Sequence, residues 1–376
     1  MSKRTISFAC AIIVSLGGCA RRNYFAAHPP IARTALNVQS PTAENARSLT
    51  MFTGEGQPIV WNDVLDAAAW ADVIILGEQH DDAVGHAVQL AVVQDVMARW
   101  PRSAVSMEML ERDEQPLVDD YMEGIIDAAT LAKLTFSESW AGEDSWNNWY
   151  QPMIDAAKDA GGHVVAANAP RRYVRLARTA GYQHLRDLPA QRRSLFDLPK
   201  RLSDDGYRQR FFDLMDDADH TTTASAATAP EQSSEPDEAK ANRLQSGFRS
   251  QLLWDATMGA SIAEAKRAGA VKVVHAIGQF HSDFNGGTVQ QVRPRLPGVK
   301  ILVVSMQRDE VNELRDEDRG RADIVIYTGK RPPEPEEQPA TQPAATQPAA
   351  SQPAETQPHE SNESLHESHS SAPGNK

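Results

Sequence analysis

The chain has 376 residues, 41% of them hydrophobic and 24% charged, which suits a soluble globular protein of one large or two modest domains. Its net charge of −13 is concentrated in two stretches: residues 216–240 carry −6 and residues 331–376 carry −5. The acidity therefore belongs to solvated segments and makes no case for a basic ligand, while the lack of any basic stripe with interleaved aromatics argues against nucleic acid as a partner.

The first 18 residues read as a secretory signal peptide. Lys3 and Arg4 precede an apolar run from Ile6 to Leu16, and Gly17 and Gly18 follow. The run is too short to span a bilayer as a finished helix. Leu16-Gly17-Gly18-Cys19 looks like a bacterial lipobox, which makes Cys19 the expected lipidated first residue of the mature chain. The only other cysteine, Cys10, lies inside the signal, so the exported chain has no disulfide and must rely on core burial. Residues 19–46 read as a polar, proline-marked tether from lipid to domain. These features predict a cell-envelope protein, lipid-anchored, in the outer membrane and facing the periplasm.

From residue 47 to residue 330 short β-rich runs alternate with longer helical ones. Strands are predicted at Val73 to Leu76, Ala104 to Met107, Val164 to Ala167, Val271 to Ile277, Ile301 to Ser305 and Ile324 to Tyr327. Most are continuous apolar runs, as expected for strands covered on both faces. Helices are predicted at Ala87 to Arg99, Trp146 to Ala160, Arg172 to Ala180, Asp204 to Met215 and Leu244 to Ala268. The alternation predicts a single α/β domain with a mixed, mostly parallel sheet and crossover helices on both faces. Residues 216–240 contain no large apolar or aromatic residue and read as a disordered surface insertion. Residues 331–376 hold nine of the 23 prolines and repeat Thr-Gln-Pro-Ala-Ala, as a disordered Pro/Gln/Ala-rich tail does.

Ligands of open parallel sheets bind at the carboxyl ends of the strands. There the sequence places Gly77-Glu78-Gln79-His80, Met107-Glu108-Met109, Asn168-Ala169-Pro170-Arg171-Arg172 and Gly278-Gln279-Phe280-His281. Glycines 77 and 278 permit close backbone approach. Glu78, His80, Glu108 and His281 form a mixed nitrogen and oxygen set that could hold a divalent transition metal with an open position for water. The alternative is structural: Glu78 and Glu108 pair with Arg171 and Arg172, and the histidines fill polar edges of the core. The convergence of four strand ends favours a site. No Gly-x-Ser-x-Gly, phosphate loop, dinucleotide fingerprint or His-Glu-x-x-His is present.

These residues resemble the ChaN family of bacterial lipoproteins, members of the Tiki, TraB and erythromycin-esterase-like superfamily. The resemblance opens with Gly77 to Asp82 followed by His86, and continues through Glu108-Met109, Arg112-Asp113 and Gln115-Pro116. It resumes in Trp149-Tyr150-Gln151-Pro152, in Ala166 to Tyr173, in Leu253 to Met258 and in Gly278 to His281. It implies a mixed α/β domain, a lipid anchor and a role in haem binding or iron uptake. It also implies membership of a superfamily whose protease members hold a metal through two Gly-x-x-His motifs, here matched by Gly77 to His80 and Gly278 to His281. The leading expectation is thus a haem- or iron-binding envelope lipoprotein; the alternative is a metal-dependent hydrolase with Glu78, His80, Glu108 and His281 as its catalytic set. Haem iron would want a tyrosinate, His or Met on an apolar wall, which makes Tyr150 and Tyr173 candidates, with Arg171 and Arg172 for the propionates. The expected partners are the membrane, through Cys19, and haem or a metal; a homodimer stays open.

Overall fold

The structure is a computed structural model that describes residues 41–200, 206–225 and 236–330. In chain order the elements are α1 (Ala43–Ala46), β1 (Thr50–Thr53), β2 (Pro58–Ile59), α2 (Trp61–Trp70), β3 (Val73–Glu78), α3 (Ala83–Arg99), β4 (Ala104–Glu111), α4 (Gln115–Glu123), α5 (Ala128–Leu134), a π-helical turn (Trp146–Tyr150), α6 (Gln151–Asp159), β5 (His163–Asn168), α7 (Arg171–Ala180), α8 (Tyr182–Arg186), α9 (Ala190–Arg193), α10 (Gly206–Ser225), α11 (Asp237–Arg267), β6 (Val273–Gly278), α12 (Gly287–Val292), β7 (Ile301–Gln307) and β8 (Ile324–Tyr327).

All eight strands join one sheet in the order β2-β1-β8-β7-β3-β6-β4-β5. Every pairing from β8 to β5 is parallel, and β1 and β2 add an antiparallel edge. The period of two along a strand divides the core between the faces. From β3, Ile74 and Leu76 pack on one side with Val92 and Val96 of α3 and Ile154 of α6. Val73 and Ile75 pack on the other with Met258 and Ile262 of α11 and Val289 of α12. A fully buried, doubly covered sheet is what the continuous apolar runs predict, and all six expected strands form.

At three places the structure adds to the sequence reading. The edge hairpin of β1 and β2 was not foreseen, because strands of four and two residues, one starting at Pro58, are too short to show alternation. The domain also begins earlier than residue 47: Thr42 caps α1 through the Asn45 amide, and Arg47 pairs with Asp95 of α3 at 3.0 Å. Finally, both ends of the 216–240 stretch are helical, α10 running to Ser225 and α11 starting at Asp237 after its N-cap Pro236. Once Tyr207 and Phe211 anchor a nucleated helix, propagation through residues of ordinary propensity costs little, and Asp237 and Glu238 suit the positive end of α11. The signal peptide, Cys19, most of the 19–46 tether, residues 226–235 and the 331–376 tail lie outside the described residues.

Candidate functional site

β3, β4 and β6 deliver their polar residues to one edge. Glu78 and Gly278 stand opposite each other in register, as do Met107 and Ala276. Beyond Met107 the strand β4 bulges: its next registered residue against β5 is Glu111, so four steps along β4 match two along β5. The bulge re-aims Glu108 and Met109 into the cleft, a recurrent use of such irregularities next to sites. Both strand-end glycines lie in close approach to their neighbours. A β-carbon on Gly77 would sit 2.6 Å from the Ser282 hydroxyl oxygen, and one on Gly278 would sit 3.0 Å from His80 Nε2 and 3.5 Å from Glu108 Oε2.

The result is a cleft of 780 Å³ lined by His80, Glu108, Met109, Glu111, Glu114, Thr135, Phe136, Trp140, Asn168, Arg171, Trp254 and His281. Behind it two histidines are each backed by a buried carboxylate. Glu78 Oε1 bonds His80 Nδ1 at 2.8 Å and accepts from the Tyr150 hydroxyl at 2.8 Å, while its Oε2 has no hydrogen-bond partner and lies 3.5 Å from His86 Nδ1. Burial opposes the charge of Glu78, but His86 and His80 outweigh it and hold the carboxyl below its usual range. Asp255 Oδ1 bonds His281 Nδ1 at 2.7 Å and accepts from Thr288 at 3.0 Å; its Oδ2 accepts from Tyr207 at 2.7 Å. Burial likewise disfavours imidazolium at His281, yet Asp255 and Glu108 push it up to about 9. Glu108 Oε2 accepts from the Gly278 amide at 2.6 Å and its Oε1 lies 3.6 Å from His281 Nε2.

The four strand ends therefore do converge, but not as a metal centre. Among the described residues no three side chains of His, Cys, Asp or Glu come together as a set able to hold a metal ion. Glu78, Glu108 and His281 spend most of their donors on one another and on their backing groups, leaving His80 Nε2 alone towards the cleft, and this corrects the divalent-metal expectation. Nor do the arginines neutralise the strand-end carboxylates. Arg171 lies 3.5 Å from Glu111 and Arg172 2.6 Å from Asp113, so only Arg171 reaches the cleft. The two tyrosines are not cleft residues either. Tyr150 is fully buried, and burial together with Glu78 drives its phenol well up, away from tyrosinate. Tyr173 is buried against Phe196, with the Arg172 guanidinium over its ring.

Of the two imidazoles on the cleft, the His80 side chain is 45% exposed and that of His281 only 10%. His80 is oriented from three sides: by Glu78, by Trp140 edge-on at 4.8 Å, and at its backbone by His86, whose Nε2 lies 3.1 Å from the His80 carbonyl oxygen. His86 in turn stacks on Trp149 at 4.6 Å. His275, inside β6, is half satisfied: Nδ1 meets Ser106, Nε2 has no hydrogen-bond partner, and burial pushes it down to about 3.

Several contributors escaped the sequence reading. Asp255 carried a signal, a lone acid in the apolar helical run Leu252, Leu253, Ala256, Met258, because a buried charge needs a partner. Trp140 and Phe136 lie outside every predicted element, and Tyr207 lies in the predicted helix Asp204 to Met215, whose pattern says nothing of the strand ends.

Residues 64–292, more than half of the chain, match the family described as haem-binding uptake, Tiki superfamily, ChaN. The chain belongs to this family. Among solved structures it is similar to ChaN of Campylobacter jejuni, described by its cofacial haem binding, with 18% identity, a TM-score of 0.55, and coverage of 74% of this chain and 96% of that one. The type III effector HopBA1 is 15% identical with a TM-score of 0.41, covering 71% of this chain and 92% of that one. An erythromycin esterase, EreC in its open conformation, is 11% identical with a TM-score of 0.35, covering 69% of this chain and 76% of that one. No curated protein matches. At these identities the solved structures speak to the fold alone.

Proposed function

We propose that this ChaN-family protein binds haem in the strand-end cleft, with His80 Nε2 as the protein ligand to iron and Arg171 at the mouth for a propionate. The observation that carries this is the exposed imidazole of His80, whose other ring nitrogen is fixed by a buried carboxylate. A carboxylate behind a ligating histidine sets its tautomer and raises its basicity. The chain's own residues fit a planar, amphipathic ligand: Met109, Trp140, Trp254 and Phe136 offer apolar surface, and Arg171, 77% exposed at its side chain and 3.5 Å from Glu111, offers a cation in a lining that also holds Glu108, Glu111 and Glu114. When bound, haem would supply the iron. The protein would orient the imidazole, shield one side of the macrocycle and pair its carboxylates.

Titrating the full chain with haemin tests this. His80→Ala is expected to weaken binding by more than about a hundredfold and to shift the Soret band. Arg171→Ala is expected to cost only a few fold, since an exposed ion pair is worth at most about 1 kcal/mol. Unchanged affinity and spectrum in His80→Ala would remove the reading.

We further propose that the protein is exported, anchored through lipid on Cys19 at the envelope, and serves haem or iron uptake there. The signal and lipobox pattern and the family membership support this. Cys19→Ser should move the protein from the membrane pellet to the soluble envelope fraction. Retention in the pellet after a salt wash counts against anchoring.

A further inference from the structure

We propose that Phe136 is an aromatic clamp, held over the cleft by a helix terminus built to present it, and that it packs on the face of the planar ligand. The proposal rests on the cleft reading above and names the residue that selects for an aromatic macrocycle.

Helix α5 ends in a Schellman motif. The Phe136 amide donates to the Lys133 carbonyl at 3.3 Å and the Ser137 amide donates to the Ala132 carbonyl at 2.9 Å. The residue at the turn must then be left-handed, and Phe136 has φ +54°. Glycine is the usual occupant because it has no β-carbon to clash. A phenylalanine here is locally disfavoured, and packing does not compensate, since Phe136 is 90% exposed. The second phenylalanine at positive φ, Phe284, shows what compensation looks like: its ring lies under the guanidinium groups of Arg210 at 4.8 Å and Arg321 at 5.0 Å. Phe136 has no aromatic or cationic partner among the described residues.

What Phe136 does have is position. It lines the cleft together with Trp140, which contacts His80 edge-on at 4.8 Å. A strained backbone that sets a bare phenyl ring beside the one exposed imidazole of a cleft is a local rule broken for a ligand rather than for the fold. A ring so placed beside the imidazole gains an offset-stacked or edge contact when a flat macrocycle enters the cleft.

The clamp makes stability and binding move in opposite directions. In the full chain, Phe136→Gly should leave the thermal midpoint unchanged or raise it, because glycine suits φ +54°, while weakening haemin binding about tenfold, mostly through faster release. Phe136→Asn, which also tolerates the left-handed conformation, should show the same loss without added backbone freedom. Phe136→Trp should retain wild-type affinity. A lower midpoint in Phe136→Gly would make the ring structural and overturn the proposal. So would wild-type haemin affinity in both Phe136→Gly and Phe136→Asn while His80→Ala loses the ligand, a result that leaves the cleft reading standing. Wild-type affinity in His80→Ala would instead fail the cleft reading itself, and the clamp with it.

Discussion

Two buried charge clusters sit on the same sheet and are built on opposite principles. Near β8, Asp318 is held by Arg315 and Arg321, each at 2.7 Å, and by the Tyr327 hydroxyl at 2.5 Å; Arg321 also grips Asp283 at 2.6 Å, which accepts from Ser305 at 2.7 Å. Its cations are guanidinium groups, which never release their charge. At the cleft, Glu78 and Asp255 face imidazoles instead, and Glu78 Oε2 is left without a hydrogen bond. The first cluster locks strands, 3₁₀ turns and loops together. The second keeps nitrogen lone pairs and protons exchangeable, which a ligand-binding centre needs and a structural one does not.

The sharpest way to break the comparison is to disrupt each cluster in turn. Asp318→Ala takes from Arg315 and Arg321 the buried carboxylate they share and is expected to cost about 3 kcal/mol of unfolding free energy. The haemin spectrum of the folded fraction should be unchanged. Glu78→Gln, by contrast, is expected to weaken haemin binding by about 10–100-fold, as loss of a ligand's backing carboxylate does, with a smaller stability loss than Asp318→Ala. Denaturant unfolding and haemin titration of both variants check the pair. A matching stability loss without weaker binding in Glu78→Gln would mean that the two clusters serve the same end.

A smaller effect appears in the pH dependence. His281 in the folded protein titrates near 9, above its ordinary 6.5. Its proton therefore contributes stability that is fully present below about pH 6.5 and is lost as pH rises through about 9. Comparing wild type with His281→Gln between pH 6 and pH 10 should show a stability difference that shrinks with rising pH; a constant difference would assign its contribution to packing.

The smallest effect concerns the cleft rim. Burial, with Glu111 and Asp113 nearby, raises Glu114 to about 7. A raised carboxyl destabilises the fold progressively as pH climbs from about 4.5 through 7. Glu114→Gln should therefore stabilise the protein above pH 7, by under about 1 kcal/mol, and have little effect at pH 4.5.

The sheet was legible because doubly covered strands are long apolar runs, and the strand-end motifs were legible because chain direction alone fixes where β3, β4 and β6 deliver Glu78, Glu108 and His281. What the sequence could not carry is orientation. Whether Tyr150 faces the cleft or Glu78 depends on the π-helical turn at Trp146–Tyr150. Whether Glu108 meets an arginine or the Gly278 amide depends on the β4 bulge. The exposed Phe136 depends on a φ angle that no residue pattern announces in a phenylalanine. Family resemblance located the cleft, but the choice between a metal set and a single exposed imidazole required the side-chain distances.

The central claim is that His80 is the ligand through which the cleft holds haem iron. Replacing it with glycine leaves a space that free imidazole can enter, so the direct measurement is the electron paramagnetic resonance spectrum of the haemin complex of His80→Gly with and without added imidazole. The account predicts a spectrum unlike wild type in the variant alone and a return to the wild-type spectrum with imidazole. A wild-type spectrum in His80→Gly before imidazole is added would contradict it.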